Sequence, residues 1–406
     1  MSFNVALSGL NAATIDLGTL SNNIANSNTT GFKSSRTEFG DFYRVSSFDL
    51  SEANTGSGVR VERLTQQFTQ GTINNTGNAL DLAISGDGFF TLSDNGSAVY
   101  TRAGAFSTDR AGYVVNNAGQ RLQVYPPIGT GGTFNTAAPN DLRISSNTNP
   151  PSASKLIEAG VNLPATAAVP VTSTFSPDDA SSYNKTTSLT VYDSLGTPHT
   201  ASLYYAKTAN PGEWNLHVTV DGGEVGTGST LTFDNAGLLT TPADGKLTLA
   251  GYSVGNGSAP LEMVFDVSKS TQYGDGFSVG TLSQDGYAAG ELSGLTITEA
   301  GVVQARYTNG QLTPIGQIVM TIFPDQQNLQ QLGASTWAET FASGQPISGV
   351  AATASYGSIQ SGALEASNVD LTEQLVNMMT AQRNYQANSQ VISTTDELLQ
   401  TIMNLR

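Results

Sequence analysis

The sequence predicts a mainly β protein with α-helical termini: two β-sandwich or barrel-like domains, plus a discontinuous coiled-coil-like helical region built by both chain ends. Three observations predict this. Apolar residues recur every seven positions at both ends, and the period falls to two between them. Turn dipeptides also punctuate a chain with 43 Gly and no Cys, which favours short strands over long interior helices. A length of 406 residues suits two or three domains of about 150 each.

At the N-terminus Phe3, Leu10, Leu17 and Ile24 stand seven apart, and Ala6, Ala13 and Leu20 follow the first three at a distance of three. That is an a/d seam. At the C-terminus Leu371, Met378, Tyr385, Ile392 and Leu399 step by seven, with Leu375, Ala381, Val391, Leu398, Ile402 and Leu405 widening the stripe. Asp370 followed by Glu373 resembles a capping box and sets the start of this helix near Leu371. In the interior, Trp214, Leu216, Val218 and Val220 alternate with polar residues and run into Asp221-Gly222-Gly223, a half-buried strand ending in a turn. Asn95-Gly96 and Asn309-Gly310 carry the same hairpin signal. The region from about 73 to 357 therefore reads as all-β, with no parallel sheet expected. The Gly-, Asn- and Pro-rich stretch 126–151 marks one boundary, and a second is expected near Ser283.

Composition excludes several classes. Lys plus Arg number 17 against 33 Asp plus Glu, giving a net charge of -16, so nucleic acid and anionic membrane are poor partners. Absence of cysteine removes disulfides, thiolate metal sites and thiol nucleophiles. The first charges are Asp16 and Lys33, which leaves no basic region for a cleaved signal, and no apolar run reaches the 18 or so residues of a membrane span.

Candidate reactive sites are few. His199 follows Pro198 and reads as a surface imidazole in a turn; His217 falls on the exposed face of its strand. Gly86-Asp87-Gly88 and Gly274-Asp275-Gly276 fail as dinucleotide fingerprints, because Thr91 and Val279 stand where a third Gly is needed. No loop has EF-hand spacing. A carboxylate-pair glycosidase stays open on carboxylate number alone.

The terminal seams pose the sharper question. Burying the seven N-terminal seam residues yields roughly 10 to 20 kcal/mol. Ordering about 24 backbone positions costs on the order of 24 to 48 kcal/mol, offset in part by helix hydrogen bonds. An isolated helix loses, so its order is expected to depend on neighbours. The two ends can pair with each other, or several chains can meet. Asn22, Asn23, Asn26, Gln382, Asn388 and Ser389 favour many chains, which could hydrogen-bond these amides across partners.

Ser21 to Lys33, SNNIANSNTTGFK, and Ala366 to Asn388, ASNVDLTEQLVNMMTAQRNYQAN, resemble the paired terminal signatures of the axial proteins of the bacterial flagellar rod and hook. ALDLAISGDGFF (79–90), SQDGYAAGELSG (283–294), GQIVMTIF (316–323), WAETFASGQPISG (337–349) and GSIQSGAL (357–364) resemble the hook branch of that family. The resemblance implies a structural subunit and no enzyme, with no cofactor. It implies a helical homopolymer and partners in the rod, the hook cap, the hook–filament junction and the flagellar type III export apparatus. It also implies a place in the extracellular hook, reached without a cleaved signal peptide.

Carried onto this chain, the resemblance makes 1–30 and 368–406 a terminal polymerisation region. Residues 31–72 and 358–367 become an extended spacer, 73–148 and 284–357 an inner β domain, and 149–283 an outer β domain inserted in it. The subunit-interface residues are then Phe3, Ala6, Leu10, Ala13, Leu17, Leu20, Ile24, Leu371, Leu375, Met378, Tyr385, Ile392, Leu399 and Ile402. A distal rod protein and, from another class, a secreted β-rich glycan-binding or glycan-cleaving protein are the alternatives.

Overall fold

The structure, a computed structural model of the chain, describes residues 2–42, 56, 58–129, 132–145, 148–249, 251–353 and 355–404. They form two compact units: Met1–Ser145 with Gly294–Arg306 and Leu312–Arg406, and Ser146–Ser293 with Tyr307–Gln311.

In the first unit, helix α1 (Ser2–Ala25) is followed by a chain turn at Gly31, whose φ of 67° and approach to the backbone of Ala103 exclude a side chain. Strands β1 (Ser35–Asp41) and β2 (Val59–Gln66) pair antiparallel and pack on α1. Both strands thus lie within the stretch read as an extended spacer. A twelve-stranded sheet follows. β3 (Ile73–Asn75) and β4 (Leu82–Ser85) precede β5 (Phe89–Asp94) and β6 (Ser97–Thr101). β5 and β6 are joined at Asn95-Gly96, where φ values of 50° and 95° make the expected primed turn. The long strand Leu312–Ile322 pairs first with Val302–Tyr307 and Arg121–Tyr125, then with β5 and Ile347–Val350. Its residues Ile318 and Met320 reach the core formed by Leu82, Ile84, Phe90, Leu92 and Leu122.

A second, aromatic core holds Phe89, Tyr100, Phe323 and Trp337, with Phe68 set edge-on to Trp337 at 5.6 Å. The Trp337 indole donates to Gln66 at the end of β2 (2.6 Å). Segment 358–367, read as extended spacer, carries two short strands: Ser358–Ser361 pairs with β4 and Ala363–Glu365 with β3. Helix α2 (Leu371–Asn404) then begins where the capping box predicts, with Asp370 Oδ1 accepting the amides of Thr372 and Glu373.

Three buried charges meet beneath the helices. Lys33 Nζ donates to Glu365 Oε1 (2.6 Å) and to the Thr69 carbonyl (2.7 Å), and Arg102 Nη1 stands 3.5 Å from Glu365 Oε2. Burial pushes the Lys33 ammonium below its ordinary pKa, and Glu365 pulls it back toward the charged form.

In the second unit, a six-stranded sheet including Lys185–Tyr192, Pro198–Lys207 and Glu213–Val220 and a four-stranded sheet including Leu156–Asn162 and Ser278–Gln284 enclose one core. Trp214, Leu216, Val218 and Val220 all point into it, as the alternation predicts.

Three expectations fail here. Leu156–Glu158 pairs parallel with Val264–Asp266. Parallel neighbours need a long crossover, and the six-stranded sheet lying between them in sequence supplies it. The unit's main segment runs to Ser293 rather than to about Ser283, because the bridges Ser152–Tyr287 and Asn149–Gly290 continue the pairing past Gln284.

His199 is the third. It is only 8% exposed, because Pro198 opens a strand whose alternation turns His199, Ala201, Leu203 and Tyr205 inward. His217 lies on the opposite face from Leu216 and Val218, as the alternation predicts, and is half-buried there, stacked on Phe175 at 4.1 Å and bonded to Glu224 at 2.9 Å.

Glu365→Ala leaves Lys33 and Arg102 buried without their counter-charge and is expected to cost about 3 to 5 kcal/mol. Chemical denaturation checks this through Trp337 fluorescence in a Trp214→Phe background, since one Trp sits in each unit. The transition seen by Trp337 is expected to move to lower denaturant, while Trp214, read in the Trp337→Phe background, reports an unchanged second unit.

Candidate assembly surface

Helices α1 and α2 pack on each other through small side chains. Ala6, Ala12, Ala13 and Leu20 of α1 and Ala381 of α2 are buried. A Cβ built on Gly9 would lie 2.7 Å from the Asn388 side chain, so the helices approach closely there. At the other end Asn23 Nδ2 donates to Gln374 Oε1 at 3.0 Å. From Gly9–Asn388 to Asn23–Gln374 one chain advances fourteen residues while the other retreats by as many, so the pair is antiparallel.

The helices differ in length: α1 has 24 residues and α2 has 34. On that register the first residues of α1 lie level with about residue 395 of α2. About nine further residues, Asp396–Asn404, overhang by roughly 13 Å with no α1 opposite them. Leu398, Leu399 and Met403 in this overhang are 64%, 53% and 73% exposed.

The sequence-predicted interface residues therefore divide. Ala6, Ala13 and Leu20 are buried within the chain, where α1 packs on α2 and on the β1–β2 pair. Leu10, Leu17, Ile24, Met378 and Ile392 are half-buried. Phe3, Leu371, Leu375, Tyr385 and Leu399 are exposed. Ile402 lies in α2 with its side chain outside the described residues, as does Leu405 entirely. Leu371, Leu375 and Met379, spaced by four, form an exposed apolar ridge along the first turns of α2, turned away from Ala381.

The amides also differ from expectation. Asn23 is buried, and its side chain exchanges two hydrogen bonds with the Ser35 backbone (2.8 and 2.9 Å), which fastens α1 to β1 as a neighbouring strand would. Asn26 bonds to Asn22, and Asn388 to the Asn384 carbonyl. Asn23 is thus satisfied within the chain, whereas Asn22 and Gln382 stay exposed. Ala12 and Asn23 belong to the helix contact but fall outside the heptads; the Ala6-Gly9-Ala13 spacing of three and four was the signal for the small-residue face.

Asp16, the single charged residue of α1, is partly desolvated, which raises its pKa, while a hydrogen bond from Thr37 lowers it. Neither helix is long and apolar enough to cross a membrane.

The comparisons with known proteins bear on this arrangement. Residues 3–33 match the family described as flagella basal body rod protein, and residues 360–405 the flagellar basal body rod FlgEFG protein C-terminal family. Residues 83–171 match the flagellar hook protein FlgE/F/G D1 domain, and residues 162–287 the flagellar basal body protein FlaE D2 domain. The flagellar hook protein FlgE of Salmonella typhimurium is 40% identical over all of both chains. The chain belongs to the flagellar hook protein family.

Flagellar hook protein FlgE of Rhizobium meliloti is 35% identical across all of this chain and 98% of its own length. That of Borreliella burgdorferi is 32% identical across 98% of each. Among solved structures, Helicobacter pylori flagellar hook protein FlgE2 is similar with a TM-score of 0.55 and 16% identity, covering 72% of this chain and 100% of that one. At that identity the likeness concerns the fold. The two terminal matches include α1 and α2.

Ala381→Leu overfills the helix contact and is expected to cost about 1 to 3 kcal/mol. Amide exchange over residues 9–20 and 374–388 should quicken correspondingly, and exchange in the second unit should stay as in the parent chain.

Proposed function

We propose that the chain is the repeating subunit of the bacterial flagellar hook, a structural protein that self-assembles into a curved tube and transmits torque from motor to filament. The observation that carries this is the uncovered apolar surface of α2. One face of each terminal helix is satisfied within the chain, while the Leu371–Leu375–Met379 ridge and the Leu398–Met403 overhang are not. Paired helices with a second apolar face are suited to packing among copies, where burial yields about 1.5 to 3 kcal/mol per leucine. A knob on one part of a surface and its recess on another give a contact that does not close, and repeated contacts of that kind build a helical polymer.

The β units suit the outside of such a tube. Charged residues are 12% of the chain, and the abundance of Ser, Thr, Asn and Gly favours wet, adjustable contacts over fixed ion pairs as curvature changes on rotation. On this reading the subunit acts without catalysis. It leaves the cell through the flagellar export apparatus, assembles under a hook cap and joins the rod at one end and the filament adaptor at the other.

Leu398→Asp combined with Leu399→Asp tests the assembly surface. Both side chains are exposed in the single chain, so folding of the β units should be unchanged by Trp fluorescence. Loss of two buried leucines, about 3 to 6 kcal/mol, should raise the concentration needed for polymer more than a hundredfold. Electron microscopy of the parent chain should show tubes and the variant none. Tubes from both at equal concentration would remove the overhang from the interface.

A further inference from the structure

Three loops meet at one end of the second unit around a single imidazole. His199, at the start of strand Pro198–Lys207, points Nδ1 at Asp221 Oδ2 (2.6 Å) and Nε2 at Asp193 Oδ2 (3.4 Å). Asp221 sits in the primed turn after Val220, with φ of 48°, and its other oxygen accepts the Thr200 amide (2.9 Å). Asp193 is fully buried in the turn between Lys185–Tyr192 and Pro198–Lys207. Its Oδ1 accepts the amides of Leu195 and Thr197, and its Oδ2 accepts Asn256 Nδ2 at 2.6 Å. Asn256 belongs to the Gly-rich loop 254–260, which is tied to the same turn by the Ala259 amide donating to Ser194 Oγ (2.9 Å). The 193–197 and 221–222 turns thus meet on His199, and the 254–260 loop joins them through Asp193 and Ser194.

We propose that His199 is a proton-operated clamp that holds these three segments together. As an imidazolium it donates from both nitrogens, one proton to each carboxylate. The neutral ring has one N–H and one lone pair, so it can serve only one carboxylate and turns a lone pair toward the other. The shorter contact fixes which: Nδ1–H stays on Asp221, and the Asp193 side of the clamp is lost. Deprotonation therefore loosens the 193–197 turn and the 254–260 loop, leaving the Asp221 turn attached.

The charges around the ring are arranged for this. Asp193 and Asp221 face it from the two turns, the loop contributes the neutral Asn256, and the nearby Glu224 is directed to His217 instead. Burial works against the imidazolium, but the two carboxylates outweigh it and raise the His199 pKa above its usual value. The Thr200 amide and His199 hold Asp221 below the usual carboxylate range; Asp193 is likewise depressed, its hydrogen bonds overcoming the opposing effect of burial. A raised folded-state pKa means that the clamp's contribution is complete below about pH 6.5 and is lost as pH rises through the raised value. The depressed carboxylates contribute above about pH 4 and lose their contribution only in acid.

The chain has two histidines, so imidazole NMR on the full-length protein resolves the two rings, with His217→Gln assigning them. The His199 resonance is expected to titrate above about 6.5, and Asp221→Asn to bring it down. Amide exchange corrected for intrinsic rates is expected to show protection at 195–197 and 254–260 falling about tenfold between about pH 6 and pH 9, the size of one lost charge-assisted bond. In His199→Gln, which cannot take up a proton, protection there should be low and independent of pH. A His199 titration at or below the ordinary value, or loop protection that stays constant with pH in the parent chain, would overturn the clamp. Both readouts come from the parent protein, so the test stands if a variant fails to fold.

Discussion

The ion cluster of Lys33, Glu365 and Arg102 is the constraint on which the first unit depends. Its three members lie just after α1, just after β6 and just before α2, so one buried carboxylate joins parts of the chain more than 300 residues apart. Charges this deep persist only when paired and hydrogen-bonded. Glu365 accepts Lys33 and the Gly71 amide on one oxygen, and Arg102 stands at 3.5 Å from the other, with its guanidinium 5.5 Å over the Phe89 ring. A short hydrophobic contact would tolerate sliding; a carboxylate between two cations permits few arrangements. The helices thus leave the β sheet at a defined place.

A second layer of polar contacts extends this joint to the helices. Asn368 accepts the Ser34 amide and donates to the carbonyls of Gln67 and Thr69, while Asn23 ties α1 to Ser35 and to Gln374. Asn23 and Asn368, one from each terminal signature, are therefore joint residues. One face of the helix pair is covered within the chain, and apolar residues on the other are exposed. That division reduces the backbone-ordering cost left for assembly, compared with a helix that starts unpaired.

Much of this was legible in the sequence because it is written locally. Heptad spacing located both helices, Asp370 located the start of α2, and Asn95-Gly96 located a hairpin, since each depends on residues within one turn or strand of one another. The parallel pairing of Leu156–Glu158 with Val264–Asp266 was not legible, because no short-range pattern encodes a partner more than 100 residues away. A preceding Pro suggests a turn at His199, while its partner Asp221 arrives from a turn 22 residues further along the chain. The heptads hold both Ala6, Ala13 and Leu20, buried within this chain, and exposed residues such as Phe3, because periodicity does not distinguish a helix of the same chain from one of another copy.

Amide exchange along α2, measured on the dilute single chain and again on assembled material, tests the central claim most directly. The account predicts slowed exchange at 374–392 in the single chain, free exchange at 396–404, and strong protection of 396–404 once tubes have formed. Protection of 396–404 in the solitary molecule, or its continued absence in the polymer, would contradict the division of the helices into an inner and an assembling face.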